Sequence, residues 1–301
     1  MPELPDVVVY LDALARYVVD RRLERIQLSS PFVLRSVDPP LESVFGHTVR
    51  GVRRVGKRLV LEFTDFDRPR FLVIHLMIAG RLRWRAAAAP RKLGLSPKIV
   101  LAQFIFTHGT LWFTEASSKK RASMQLVIGE DALEALDPGG IDPLDATPAQ
   151  FHEALTRENH TLKRSLTDPH LFSGIGNAYS DEILHAARLS PLKLTRSLSA
   201  DEVHRLRDAT RTTLLAWIER LRQQTGDGFP EKVTAFHREM AVHGRFGQPC
   251  PVCRSPVQRI VYAENECNYC ATCQTSGKRL ADRSLSRLLK DDWPRSIESL
   301  E

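Results

Sequence analysis

All five cysteines of this 301-residue chain lie between Cys250 and Cys273, and four of them form Cys250-x2-Cys253 and Cys270-x2-Cys273 with 16 residues between the pairs. This is the spacing of a four-cysteine zinc site. It commits the stretch to a compact module, two knuckles joined by a β-hairpin around one structural Zn2+. Cys267-x2-Cys270 is a second CxxC and would leave 13 residues after Cys253. The longer gap suits a hairpin better, so Cys270 and Cys273 are the preferred ligands. Four thiolates fill a tetrahedral shell and leave no position for a reactive water, which argues against a zinc-dependent hydrolase. Disulfides would need an oxidising compartment. The N-terminus has acids at Glu3 and Asp6 and no basic-then-apolar pattern, so it does not read as a signal peptide. A reducing, cytoplasmic setting is expected.

Hydrophobic residues make up 43% of the chain, the composition of a globular protein. No apolar run approaches the roughly 18 residues of a membrane span. The length suits two domains. Lys and Arg outnumber Asp and Glu by 43 to 36, for a net charge of +7 and a pI of about 9.3. That excess suits a polyanionic partner such as nucleic acid.

The opening Met1-Pro2-Glu3-Leu4-Pro5-Asp6 carries a second chemical signal. Removal of Met1 would leave Pro2 as a secondary amine, which no internal residue can supply. An α-amino group with a pKa of about 8 is partly uncharged at neutral pH. It can attack a carbonyl-level carbon and form an iminium. Glu3 stands beside it as a candidate acid.

Pro5 to about Asp20 reads as a helix with Leu11, Leu14, Ala15 and Val18 on one face. Strand patterns follow at Val49–Val55, Leu59–Phe63, Phe71–Leu76, Ile99–Thr107 and Leu111–Phe113, with turns at Gly56-Lys57 and His108-Gly109. This half reads as a β-sandwich or barrel with the helix against it. The acidic, Gly/Pro-rich stretch from Glu130 to Pro148 reads as a linker. Thr147 is placed to cap a helix beginning at Pro148, and Ser199-x-x-Glu202 opens a long amphipathic helix carrying Val203, Leu206, Leu214, Ile218 and Leu221. Lys278–Lys290, with five basic residues against one acid, reads as a terminal amphipathic helix. Gly174-Ile175-Gly176-Asn177 predicts a tight turn into a helix starting near Ala178, where backbone N–H groups can seat a phosphate.

Taken together, these pieces resemble one family, the bacterial formamidopyrimidine-DNA glycosylases and endonuclease VIII proteins, of which this chain would be a divergent member. The resemblance runs from residue 2 to about 274. It is carried by Pro2-Glu3-Leu4-Pro5, Gly56-Lys57, His75-Leu76 with Gly80-Arg81-Leu82, Leu162-Lys163, Gly174-Ile175-Gly176-Asn177, Asp181-Glu182, His243-Gly244-Arg245 with Gly247, and Cys250…Cys273-Gln274. It implies an α+β fold: a catalytic β-sandwich with flanking helices over 1–130, a linker at 131–147, a helix-two-turn-helix domain over 148–246, a zinc finger at 247–274 and a basic extension over 275–301. It implies a DNA glycosylase with AP lyase activity. Pro2 would attack C1′ of the damaged nucleoside, Glu3 would protonate the sugar ring oxygen, and Lys57 would reach the phosphate or sugar of the flipped nucleotide. Gly174, Gly176 and Asn177 would hold the phosphate, with Lys163 in support. The partner would be DNA, and the chain is expected to be a nucleoid-associated bacterial monomer.

Three positions depart from the family. An arginine of the zinc hairpin is replaced by Asn265, with Arg259, Lys278 or Arg279 as candidate substitutes. The residue that fills the gap left by the flipped base, usually methionine, is Ile78. The loop that normally carries an Arg-Phe wedge reads Glu115-Ala116-Ser117-Ser118-Lys119-Lys120-Arg121, so Lys120 and Arg121 are its candidate contacts and it holds no aromatic. Altered lesion or strand preference is expected, and the competing reading is a non-catalytic damaged-DNA-binding protein of the same fold.

Overall fold

The computed structural model describes residues 1–88, 96–231, 233–234, 236–262 and 265–281. Most of the predicted basic helix Lys278–Lys290 lies outside them. The chain forms two compact units, residues 1–138 with 218–234, and residues 139–217 with 235–301.

The first unit begins with helix α1 (Leu4–Val18), followed by β1 (Leu23–Leu28), β2 (Gly51–Val55), β3 (Arg58–Phe63), β4 (Arg70–His75), β5 (Gly80–Ala86), β6 (Val100–Phe106), β7 (Gly109–Glu115), β8 (Ser123–Ile128) and the short α2 (Glu130–Glu134). The strands form two antiparallel four-stranded sheets, ordered β1-β6-β7-β5 and β2-β3-β4-β8. Side chains alternate across a strand, and the central strands use both faces. Leu59, Leu61 and Phe63 of β3, with Leu72 and Ile74 of β4, join Phe104, Leu111, Phe113 and Leu82 of the other sheet in one core. Val60, Phe71 and Val73 point the other way, onto Leu133 of α2. The expected β-sandwich is the fold of this unit.

Two details differ from the sequence reading. The buried stripe of α1 is Val7, Tyr10, Leu14 and Val18, while Ala15 is exposed. Three strands, β1, β5 and β8, escaped the pattern. In β5 the residues Arg81, Arg83 and Arg85 alternate with only Leu82 and Trp84, and the strand lies at a sheet edge.

The second unit contains α3 (Pro148–Thr156), α4 (Leu162–Thr167), α5 (Asn177–Ala186), the hairpin β9 (Gln258–Tyr262) and β10 (Asn265–Tyr269), and the short α7 (Ala271–Thr275). Thr147 caps α3 in a capping box with Gln150. Helix α6 (Ala200–Thr225) opens at the Ser199–Glu202 box and buries Val203, Leu206, Leu214, Ile218 and Leu221 as its periodicity predicts; residues up to Trp217 count with this unit. The core gathers Leu162, Leu166, Phe172, Ile175, Tyr179, Ile183, Leu206 and Leu214.

Glu182 of α5 closes this unit on itself. Its buried carboxylate accepts the backbone N–H groups of Ala241 (2.7 Å), Val242 (2.9 Å) and His243 (2.9 Å). Three N–H groups that no helix or ladder satisfies depend on one side chain. Glu182→Ala should therefore destabilise the protein by roughly 3–5 kcal/mol, with Glu182→Gln intermediate. Urea midpoints at constant m-value measure this; an alanine variant within about 1 kcal/mol of the parent would refute the assignment.

Candidate nucleic-acid site

The first unit gathers a charged cluster around the start of α1. Pro2 and Glu3 are buried, and Glu3 is the N-cap of the helix. The Glu3 backbone N–H donates to Asp6 Oδ2 at 2.9 Å, which fixes the first turn. The terminal amine is carried here by Met1, one residue outward from where removal of Met1 would leave it. Burial holds that amine below its ordinary pKa; Glu3 pulls it back up, and Arg81 and Lys57 push it down. Lys57 stands in the β2–β3 turn, where Gly56 takes φ +59°. Burial lowers its ammonium pKa, and Glu3 opposes the shift. The cluster thus brings together three of the residues singled out from the sequence, Pro2, Glu3 and Lys57.

Three residues of the cluster had no role assigned from the sequence. Burial lifts the Asp6 carboxyl to about 7. His75 is held down at about 4 by burial and by the charges of Arg58 and Lys57, so its ring is neutral. Arg81 donates from Nε to Val233 O (2.7 Å) and from Nη1 to Gly80 O (2.7 Å) and Ile78 O (3.2 Å). An acid three residues after Glu3, a position that faces the same helix end, was the available signal for Asp6. Beside Asp6 opens a cavity of about 530 Å³, lined among others by Val9, Leu221, Phe229, Pro230 and Val233.

Ile78 projects from the loop between β4 and β5 and is 57% exposed. The loop is tight: Gly80 N–H donates to Leu76 O at 2.8 Å, and a Cβ at Gly80 would meet that oxygen at 2.2 Å. In the loop after β7, both Glu115 carboxylate oxygens accept from Arg121 N–H and one also from Ala122 N–H, while Lys120 Nζ donates to Glu115 O. Lys120 and Arg121 are exposed at this loop.

In the second unit, Gly174 takes φ +88° and Gly176 is the N-cap of α5, so the helix opens directly out of the predicted turn. The positive end of its dipole faces that turn. Lys163 reaches the same place from α4. Its three donors go to Asn177 O (2.6 Å), Ser180 Oγ (2.8 Å) and Asp181 Oδ1 (2.6 Å). Its contribution is therefore to hold the turn, rather than to present a loose ammonium to a ligand. Asp181 has no solvent exposure at its side chain and also accepts from His243 Nδ1 (2.8 Å) and Asn268 N–H (3.1 Å). Asn177 Nδ2 donates to Glu266 O of β10 at 2.9 Å. Arg259 of β9 lies over the Phe246 ring at 4.3 Å and 3.5 Å from Glu266. Lys278 and Arg279 follow α7, and Arg279 Nε donates to Gln258 Oε1. The side chain of Asn265 lies outside the described residues.

The sulfurs of Cys250, Cys253, Cys270 and Cys273 all lie within 4.8 Å of one another. Tetrahedral zinc thiolates with bonds of about 2.3 Å set sulfurs about 3.8 Å apart, and the pairs Cys253–Cys270 and Cys250–Cys273 stand at 3.3 and 4.0 Å. The set can hold a metal ion, and it uses the preferred register. Cys267 is buried in β10 instead, its thiol pKa pushed well up by burial and by Asp181. The hairpin between the two knuckles is β9–β10, as the cysteine spacing required.

Residues 1–118 match the formamidopyrimidine-DNA glycosylase N-terminal domain, and residues 140–227 match the formamidopyrimidine-DNA glycosylase H2TH domain. The chain belongs to the formamidopyrimidine-DNA glycosylase family. A formamidopyrimidine-DNA glycosylase of Salinispora tropica is 32% identical over 298 residues, covering 93% of this chain and 98% of that protein. An uncharacterized formamidopyrimidine-DNA glycosylase-like protein of Mycobacterium tuberculosis is 39% identical over 151 residues, half of this chain and 94% of that one. Among solved structures, the Lactococcus lactis glycosylase in complex with DNA containing an abasic site superposes with a TM-score of 0.78 at 26% identity, covering 91% of this chain and 99% of that one. The same glycosylase bound to DNA with an oxidized pyrimidine gives the same score. Among the described residues no helix of this family member is long and apolar enough to cross a membrane.

The raised pKa of Asp6 has a consequence for stability. In the unfolded chain Asp6 ionises near 3.8, and in the folded protein near 7. Between those values the folded state keeps a proton that the unfolded state releases, so this group's contribution to stability falls as pH rises from about 4 to about 7. Asp6→Asn keeps an acceptor for Glu3 N–H and has no charge to bury. The variant should lose that downward slope and exceed the parent in stability at pH 8 by roughly 2–4 kcal/mol. Denaturant unfolding at stepped pH reads both; parallel pH profiles would overturn it.

Proposed function

We propose that this protein is a bifunctional DNA glycosylase and AP lyase of base excision repair, acting through the amine of Pro2 after Met1 is removed. The observation that carries this reading is the cluster at the start of α1, where Pro2 is buried next to Glu3 and near Lys57, and the half-buried Met1 amine one residue outward is held below its ordinary pKa by burial. Desolvation and neighbouring cations favour the uncharged, nucleophilic amine at neutral pH, with Glu3 acting against them. The target nucleoside leaves the base stack first. The Pro2 nitrogen then bonds to C1′ as the glycosyl bond breaks, the departing base takes up the amine's proton, and Glu3 protonates the ring oxygen as the C1′–O4′ bond opens, which leaves Pro2 N and C1′ joined as an iminium. The resulting iminium acidifies the C2′ hydrogen, and its loss expels the 3′ phosphate and nicks the strand. Lys57 contacts the phosphate or sugar of the extruded nucleotide. The cavity beside Asp6 receives the extruded base.

In the second unit, Gly174, Gly176 and Asn177 seat a backbone phosphate, with Lys163 holding the turn in shape. The four cysteines hold one structural Zn2+, and Arg259 supplies a cation on the zinc hairpin in place of the arginine lost at position 265. The protein acts as a cytoplasmic monomer on DNA. Its substrate choice is shifted from that of the family, because Ile78 replaces the gap-filling methionine and the Glu115–Arg121 loop offers cations without an aromatic wedge. Backbone contacts position DNA without reading sequence, whereas base-level wedging interrogates the duplex. Single-stranded, abasic or bulky-lesion DNA fits such a surface better than 8-oxoguanine in a duplex. Asn265 favours a second reading, a non-catalytic binder of damaged DNA.

Two experiments decide these points. Borohydride should trap a covalent adduct between the processed protein and abasic DNA; the adduct should fall sharply in Pro2→Gly and vanish when a residue is left ahead of Pro2. Absence of an adduct with every abasic DNA tested would leave the binder. In matched assays, nicking of abasic single strands should exceed nicking of 8-oxoguanine duplex by roughly tenfold or more in kcat/KM, about 1.4 kcal/mol of transition-state discrimination. A strong preference for the duplex lesion would sink the proposed shift.

A further inference from the structure

Helix α5 places a polar residue at every fourth position of one face: Asn177, Asp181 and His185. Asn177 reaches the Glu266 carbonyl of β10, and Asp181 reaches Asn268 N–H of the same strand. One turn further on, His185 is only 6% exposed, and its Nε2 lies 3.3 Å from Cys250 Sγ, on a cysteine with no solvent exposure. The contacts at two other sulfurs come from within the module, from Ser255 to Cys253 and from the Cys273 backbone to Cys270. Cys250 is met by a side chain from a helix 65 residues earlier in the sequence.

A thiolate bound to a metal carries no proton, so a hydrogen bond across this contact requires the proton on Nε2. Four thiolates around a dication leave a net charge of −2, and an N–H donor aimed at one sulfur offsets part of it. We propose that His185 is a positioning residue of the metal centre: its Nε2–H donates to the Cys250 thiolate, fixes the tautomer with a bare Nδ1, and fastens the metal site to the helix that opens at the Gly174–Asn177 turn. This rests on the reading of the four cysteines as a zinc site. It makes metal retention a property of α5 as well as of the cysteine module.

The test uses the full chain. His185→Phe keeps an aromatic ring of similar volume without a donor, and His185→Gln restores an N–H at comparable reach. Zinc content is measured first, then zinc release to a chromophoric chelator, the sulfur-to-cobalt charge-transfer band after Co2+ substitution, and amide exchange along α5. H185F should release zinc roughly 10–100-fold faster, shift the band to lower energy and lose protection at the end of α5, while H185Q stays near wild type. A zinc-loaded wild type whose release rate and band are unchanged in H185F overturns the inference while leaving the zinc site intact; a wild type that binds no zinc overturns the zinc reading itself. If H185F does not fold, long-range 15N–1H spectra of the zinc-loaded wild type decide: a proton on Nε2 with bare Nδ1 supports the proposal, and a proton on Nδ1 with bare Nε2 defeats it.

Discussion

Asp181 is the group on which the second unit depends. A carboxylate with no exposure is costly unless its charge is met. Here Lys163 meets it from α4, His243 from the segment before the cysteines, and Asn268 N–H from β10. Each partner belongs to a different stretch of chain, so the fully desolvated charge is compensated only when all three stretches are in place. The next residue, Glu182, repeats the logic with three backbone N–H groups. Neighbouring acids on one short helix thus hold the glycine turn, the hairpin and the approach to the cysteine module in a single arrangement. Removing one partner would strand a buried charge, which is why such networks define one geometry even where their net contribution to stability is small.

The first unit concentrates charge for a different end. Around the start of α1, Glu3 and Asp6 face Lys57 and Arg81 in a largely desolvated setting. The shifts run toward the neutral forms: Asp6 is pushed up, Lys57 and the terminal amine down. Burial is the first cause in each case. A hydrated surface could hold the same residues fully charged, with an amine protonated and inert. The sandwich supplies the burial behind these shifts, and the β2–β3 turn carries Lys57 into it. His75, neutral beside two cations, extends the same environment along β4.

Much of this could be read from the residues because their spacing has only one structural use. The cysteine pairs required a hairpin between two knuckles, and β9–β10 is that hairpin. The Gly174–Asn177 turn announced α5, and Ser199-x-x-Glu202 announced α6. What stayed hidden depends on partners far away in sequence. Cys267 and Cys273 were separable by spacing only as a preference; the fold separates them because β10 turns Cys267 inward toward Asp181. Asp6 and Arg81 stand in motifs that assign them no role and His185 stands in none, since an environment gives each its character. The sequence also misleads at Ala15, where an amphipathic stripe one position off from Val7-Tyr10-Leu14-Val18 has nearly the same period. Strand β5 was missed because an edge strand needs few apolar residues.

The positions that follow the family and those that depart from it fall on different physical tasks. Pro2, Glu3, Lys57 and the glycine turn stand where geometry is tightly set, by a helix cap, a two-residue turn with positive φ, and a helix start. Ile78 and the Glu115–Arg121 loop stand on exposed, short connections whose backbone is fixed locally, by the Leu76–Gly80 closure and by the buried Glu115 carboxylate. Such a loop can exchange its side chains without disturbing a core, because the anchor lies beneath the surface and the variable residues above it. Arg259 fits the same pattern on the zinc hairpin: its β9 backbone is paired at Asn268, while its guanidinium is set by Phe246 and Glu266. Side chains can therefore change at these three places while the cluster at the start of α1 and the Asp181 network, each tied to buried charge, stay as they are.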